Sequence, residues 1–310
     1  MGKNIMNVLF SSDDKYAQHL GVAIYSLLEH NTAFNKITIY IVDNDISDIN
    51  KQKLNKTADE FDNAEIIFLP FNKWKNKLHL NMKWNISISA YARLFIADML
   101  PDDIDQVLYM DCDVIICESL ENLWNTDLNN NVLGAVQDTV NDKTKEAVGL
   151  LPEDKYFNDG ILLIDLKKWR KQNIGIKCLK FIEEKNGSVT HHDQGTLNGV
   201  LNGKWYRLPL KYNLMTIHYI FNYRKNKKYF KDHSNFYLYD DIENAKLHPA
   251  ILHYVPSFTT RPWVSNCKHP KKNLYWNIIS KTPWIDAKPE KDKSKWYVKL
   301  INFRYRKLYW

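Results

Sequence analysis

Cysteine is scarce in this 310-residue chain, with only Cys112, Cys117, Cys178 and Cys267 present. They form no CxxC pair and have no metal-finger spacing, so neither a disulfide framework nor a zinc module is expected, and a reducing cytoplasm fits. Long apolar runs are also missing; none approaches ~18 residues, and a spanning helix is not expected. The opening MGKNIMNVLFSSDD passes from polar positions straight into a strand-like run, without the h-region or cleavage site of a signal peptide. No repeat or low-complexity tract stands out. Acid is nearly absent from one region: between Lys288 and Trp310 eight cations face only Glu290 and Asp292, so this stretch holds about +6 of the formal +7. The body is then almost neutral, which excludes a nucleic-acid-binding core basic throughout, and no nucleic-acid partner is expected.

What remains, 45% apolar and 25% charged residues, is the balance of a soluble globular protein long enough for one large α/β domain or two smaller ones. Strand and helix signals alternate over the first 140 residues. NVLFSSDD reads as a strand ending in a polar turn. YAQHLGVAIYSLLEHN places Leu20, Ile24, Leu27 and Leu28 on one helical face, with Asn31 as a stop. KITIYIVDND is strand-like, SDINKQKLNKTADEF reads as a helix capped by Ser47, and AEIIFLP is a strand. SISAYARLFIADMLP reads as a helix ended by Pro101, and QVLYMDCDVII and NVLGAVQD as strands. Further on, YFNDGILLIDLKKW reads as strand into helix and HHDQGTLNGVL as a short helix. Residues 222–235 read as a solvated loop, and the segment after Trp284 as a linker. This βαβ alternation predicts a mostly parallel sheet with helices on both faces, and ligands beyond the carboxyl ends of its strands.

Inside VLYMDCDVII, an apolar run breaks for Asp111 and Asp113 and then resumes. A carboxylate so placed costs several kcal/mol unless paired, hydrogen-bonded or metal-bound. Two readings stay open: aspartates satisfied by backbone N–H groups or an arginine, or a metal site. The other D-x-D patterns are plainer, with Asp103 and Asp105 in a surface turn and Asp43 and Asp45 ahead of a helix. In ILHYVPSFTTRPW, His253 follows an apolar pair and Arg261 sits close behind. Two carboxylates and an imidazole suit Mn²⁺ or Mg²⁺, although a histidine after a short strand is, in isolation, more often structural.

Seven ordered segments, FSSDDKYA, ISISAYARL, VLYMDCDV, LWNTDL, YFNDGILLIDLKKW, HHDQGTLN and LHYVPSFTTRPW, together resemble glycosyltransferase family 8, in its bacterial lipopolysaccharide galactosyl- and glucosyltransferase branch related to glycogenin. The resemblance runs from about Asn7 to Trp284. It implies a GT-A fold, a retaining mechanism, a UDP-hexose donor and Mn²⁺ (or Mg²⁺). Carried over, it makes Asp111, Asp113 and His253 the metal ligands, with Cys112 between them. Ser11, Ser12, Asp13 and Ile86 would hold the nucleoside, Arg93 would reach the donor, and Asn158, Asp159, Asp193, Gln194 and Asp138 would surround the transferred sugar. Three positions depart from the family pattern: Lys15 stands where Asn is frequent, Pro256 replaces a glycine and brings no N–H, and Arg261 stands where Lys is common. Arginine keeps the charge and can grip a diphosphate bidentately.

The resemblance also sets the chemistry expected. A divalent ion and Arg261 would take up the charge of departing UDP, so no glycosidase-type acid pair is required. Retention leaves double displacement or front-face attack; Gln194 is a poor nucleophile, Asp193 and Asp159 are the carboxylates at hand, and front-face attack is preferred. The domain is expected over residues 1–284, with 285–310 as a basic tail in which Trp296, Leu300 and Phe303 recur at i, i+4 and i+7. Such a helix reads as lying on an anionic membrane, here the inner face of the cell membrane, with a lipid-linked or cell-surface glycan as acceptor; docking on the enzyme's own surface is the other reading. Two rivals remain. An aspartate-nucleophile phosphatase wants Thr where Ile115 stands, and a non-catalytic membrane-tethered glycan- or nucleotide-sugar-binding protein would be supported by Lys15 and Pro256.

Overall fold

The computed structural model describes residues 4–81, 88–230 and 236–309. Ten strands are found among them: β1 (Ile5–Asp13), β2 (Lys36–Asn44), β3 (Ala64–Pro70), β4 (Gln106–Met110), β5 (Val114–Ile116), β6 (Leu133–Gln137), β7 (Phe157–Asp165), β8 (Tyr206–Arg207), β9 (Leu214–Met215) and β10 (Ile251–His253). Seven make the main sheet, in the order β3-β2-β1-β4-β7-β6-β8. All its pairings are parallel except those of β7, which runs against both β4 and β6. The expected α/β class and mostly parallel sheet are therefore present. A second sheet, β5-β10-β9, stands beside the first.

Apolar periodicity places the helices as expected. Over Ala17–His30, Leu20, Ile24, Leu27 and Leu28 are completely buried, and Asn31 caps the end. The Asn31 amide donates to Leu27 O and its oxygen accepts from Leu120 N, both at 2.8 Å. Ser47 caps the helix Asp48–Ala58, its side chain accepting from Asn50 N.

The acidic break turns out to be a change of sheet. VLYMDCDVII is two strands rather than one. Asp111 N still bonds Gly160 O at 2.8 Å, extending the β4–β7 ladder by one residue. Two residues later Asp113 O accepts from Tyr254 N at 2.8 Å and opens the ladder between β5 and β10. The chain crosses from the large sheet to the small one at Asp111-Cys112-Asp113.

Three local expectations need correction. The segment Ile88–Phe95 is a 3₁₀ helix followed by a single α-turn, Ile96–Met99. Its carbonyls are claimed by side chains that compete with an α-ladder: Ser89 O accepts from Ser11 Oγ and Ala90 O from Arg93 Nε. Tyr223–Phe230 is helical rather than loop, started by Asn222, whose side chain accepts from Lys225 N, and anchored by the buried Asn226. The stretch after Trp284 is fastened to the body, because Glu290 N donates to Trp263 O and Glu290 O accepts from Ser265 N, both at 2.8 Å. Among the described residues no helix is long and apolar enough to cross a membrane.

Candidate active site

Strand order reverses between β1 and β4, since β2 lies on one side of β1 and β4 on the other. In open α/β sheets, such a switch point leaves a crevice at the carboxyl ends of the strands. Here it is a cleft of about 830 Å³. Ser11, Ser12 and Asp13 at the end of β1 form one wall, with Asp111, Cys112 and Asp113 beside them. Asn158, Asp159, Gln194, His253 and Arg261 also line it.

At its floor, one ligand atom each from Asp111, Asp113 and His253 lies within 4.8 Å of the others. His253 Nε2 is 3.1 Å from Asp113 Oδ1 and 3.7 Å from Asp111 Oδ2. Gly160 makes room for the cluster: a Cβ there would stand 2.8 Å from His253 Nδ1 and 2.9 Å from Asp111 Oδ2. Burial alone would hold Asp113 neutral, but Arg261 and His253 outweigh it and keep the carboxyl well below its usual range. Burial likewise opposes charge on His253, yet Asp113 and Asp111 raise its pKa. The aspartates thus have arginine and imidazole partners and, in the same geometry, a donor set suited to a hard divalent cation.

Arg93 organises the opposite side. Its guanidinium is 2.8 Å from Asp111 Oδ1, 3.0 Å from Asp159 Oδ2 and 2.8 Å from Asp193 Oδ2. It also donates to the Asp159 carbonyl and rests over the Tyr109 ring, 4.3 Å from its centroid. One cation cannot neutralise three carboxylates, two of them, Asp159 and Asp193, buried. Burial therefore pushes Asp159 well up and raises Asp193 too. Arg93 borders the cleft, but its nitrogens are spent on protein.

A layer of amides covers Asp138. Asn158 Nδ2 and Gln194 Nε2 both reach Asp138 Oδ2, at 3.3 and 3.0 Å, while Gln194 Oε1 accepts from Asn158 Nδ2 at 3.1 Å. Burial raises the Asp138 pKa. Asp138 and Asp193 stand behind the wall formed by Asn158, Gln194 and Arg93. Ile86 lies outside the described residues. Cys112, with its Sγ 3.2 Å from Ser11 O and its pKa pushed well up by burial, is an inert thiol.

Residues 7–267 match the Glycosyl transferase family 8 profile. The chain belongs to glycosyltransferase family 8. It is 31% identical to General stress protein A of Bacillus subtilis (strain 168), over 90% of this chain and 95% of that one. It is 29% identical to Lipopolysaccharide 1,2-glucosyltransferase of Escherichia coli (strain K12), covering 97% of this chain and 84% of the relative. Among solved structures, galactosyltransferase LgtC in complex with donor and acceptor sugar analogs superposes with a TM-score of 0.72 at 29% identity, covering 90% of this chain and 96% of LgtC. The fold of this family 8 protein is accordingly that of LgtC.

Several cleft residues carried no sequence signal. Tyr109 reads as one apolar member of VLYM, yet its hydroxyl donates to Asp111 Oδ1 at 3.1 Å. Tyr16 and Val255 line the cleft unannounced. Lys15 also lines it, whereas Pro256 faces an adjoining cavity bounded by His19, Trp263 and the C-terminal helix. Arg261 borders both.

Proposed function

We propose that this family 8 protein is a retaining hexosyltransferase, moving galactose or glucose from a UDP-sugar to a glycan acceptor with a divalent metal assisting UDP departure. The observation that carries the reading is the convergence of Asp111, Asp113 and His253 at the strand-order switch point, with Arg261 beside them. Hard oxygens, one imidazole and the space left by Gly160 fit Mn²⁺ or Mg²⁺. An ion held there supplies Lewis-acid stabilisation to a departing diphosphate.

The protein's own groups do the rest. Ser11, Ser12 and Asp13 bound the end of the cleft suited to the nucleoside. Arg261, partly exposed and only singly bonded to Asp113, can turn a guanidinium edge toward the phosphates. Asn158 and Gln194 face the transferred sugar. Neither Asp159 nor Asp193 is a ready nucleophile, because both are bound to Arg93 and pushed toward the protonated state, and the Gln194 amide is already engaged at both ends. This supports front-face attack, with the acceptor proton passing to the departing phosphate. A sugar trapped covalently on Asp159 or Asp193 with a slow substrate would refute it.

The C-terminal helix Trp296–Tyr309 supports a peripheral place on an anionic membrane, at the cytoplasmic face where a lipid-linked or cell-surface glycan would be met. Trp296, Leu300 and Phe303 are exposed on one face, while Val298 and Asn302 turn inward to the cavity beside Pro256. A non-catalytic binder is not favoured, since the described cleft holds the Asp111, Asp113 and His253 donor set with Arg261 beside it. The deciding experiment is UDP release from a panel of nucleotide sugars with Mn²⁺ or EDTA. Metal-dependent release from UDP-galactose or UDP-glucose, lost in Asp111→Asn/Asp113→Asn, is expected; no release from any donor sinks the proposal.

A further inference from the structure

Asn213 lies outside the cleft wall, fully buried in the 3₁₀ turn Leu210–Asn213 ahead of β9. Its side chain joins two groups of the site. Asn213 Oδ1 is 2.9 Å from His253 Nδ1, and Asn213 Nδ2 is 2.8 Å from Asn158 Oδ1. Amide orientation and imidazole tautomer are normally interchangeable assignments, but here a backbone donor fixes both. Gly160 N–H donates to Asn158 Oδ1 at 3.0 Å, so that atom must be the oxygen. On its other side, Asn158 Nδ2 meets two acceptors, Asp138 Oδ2 and Gln194 Oε1. The Asn213 atom facing Asn158 Oδ1 must then be its NH₂. Its oxygen is left for His253, and the nitrogen opposite that oxygen has to be Nδ1–H.

We infer that Asn213 is a positioning residue that fixes His253 in the Nδ1–H tautomer, presenting the Nε2 lone pair to the metal position, and locks Asn158 at the sugar face to the same frame. The inference rests on the proposed function, because it gives the Nε2 lone pair a cation to meet. The hydrogen-bonded chain Gly160 N–H, Asn158, Asn213, His253 ties the metal position to the donor's sugar through two side chains and one backbone amide. Partners of this kind on a ligating imidazole orient the ring and strengthen its hold on metal.

Two substitutions separate its two halves. Asn213→Leu is nearly isosteric and removes both hydrogen bonds. Asn213→Asp keeps an acceptor for Nδ1–H but sets an oxygen against Asn158 Oδ1, which cannot rotate away from the Gly160 N–H. Mn²⁺ uptake is measured by the electron paramagnetic resonance of free Mn²⁺ in saturating UDP, and turnover by hydrolysis of the UDP-hexose that the wild type accepts. Asn213→Leu is expected to bind Mn²⁺ about 10–100-fold more weakly. Asn213→Asp is expected to stay within about threefold of wild-type Mn²⁺ affinity, because a carboxylate serves such a histidine equally well, while its kcat falls about tenfold or more on loss of the Asn158 anchor. If Asn213→Leu does not fold, as its melting in EDTA would reveal, Asn213→Asp carries the test alone. Wild-type Mn²⁺ affinity in Asn213→Leu, or lost affinity or unchanged kcat in Asn213→Asp, overturns the inference. A wild-type protein that takes up no Mn²⁺ with UDP instead removes the functional reading beneath it.

Discussion

Arg261 Nε donates to Asp113 Oδ2 at 2.8 Å, while the other oxygen of the same carboxylate is held 3.1 Å from His253 Nε2. Removing one partner of a buried pair strands the other, typically at about 3–5 kcal/mol. Here the arginine is 29% exposed and His253 remains, so Arg261→Ala should lose only about 2 kcal/mol in EDTA by urea denaturation. Arg261→Lys should lose less. Equal stability of all three proteins would show that Asp113 draws nothing from this contact.

Gly160 is required by space rather than by conformation. A methyl group there meets the His253 ring and Asp111 Oδ2. Gly160→Ala should keep its far-UV circular dichroism and weaken Mn²⁺ binding at least about tenfold, because displacing a ligand by ~1 Å ruins a constrained site. Undiminished Mn²⁺ affinity would place the cation elsewhere.

Buried His218, outside the cleft lining, gives the fold a marked acid sensitivity. Burial, helped by Lys246, lowers its pKa to about 3 from the usual 6.5. The folded state therefore holds it neutral, and the unfolded chain binds the proton first. Its contribution to stability is complete above pH ~6.5 and is lost as pH falls from there toward about 3. Between pH 7 and 5 the wild type should lose about 2 kcal/mol more than His218→Phe in urea titrations. Parallel pH curves for the two proteins would contradict this.

The outer face of the C-terminal helix can be tested without truncation. Glu290 bonds to Trp263 and Ser265, so cutting at Lys288 would damage the body as well. Replacing Trp296, Leu300 and Phe303 with Ser should release the protein from anionic vesicles, with turnover on a soluble acceptor within about twofold. Each buried apolar side chain is worth about 1.5–3 kcal/mol, so the loss should be near total. Undisturbed vesicle binding would assign the helix another role.

Much of this was legible in the sequence, for identifiable reasons. Leu20, Ile24, Leu27 and Leu28 announce a helix because burial imposes its period on them, and Ser47 announces a helix start because its hydroxyl can accept a backbone N–H. The break at Asp111 was readable because charge inside an apolar run needs a partner. Its meaning was not, because pairing of β5 with β10 depends on residues nearly 140 positions apart. The 3₁₀ form of Ile88–Phe95 draws on the Ser11 Oγ–Ser89 O hydrogen bond, which no local pattern encodes. Asn213 was invisible for a related reason: in LKYNLM an asparagine reads as a turn former, and only the fold sets it between His253 and Asn158.

The passage of the chain between sheets at Cys112 has a mechanical consequence. Asp111 ends the ladder of the large sheet, and Asp113 and His253 belong to the small one, so any cation they share would add a clamp between two layers that a common apolar core and Asn213 already join. Ionic radius is then read as the width of that seam. Swapping a smaller ion for a larger one should alter how closely the layers approach, and with it the snugness of the crevice, even where both ions bind equally tightly.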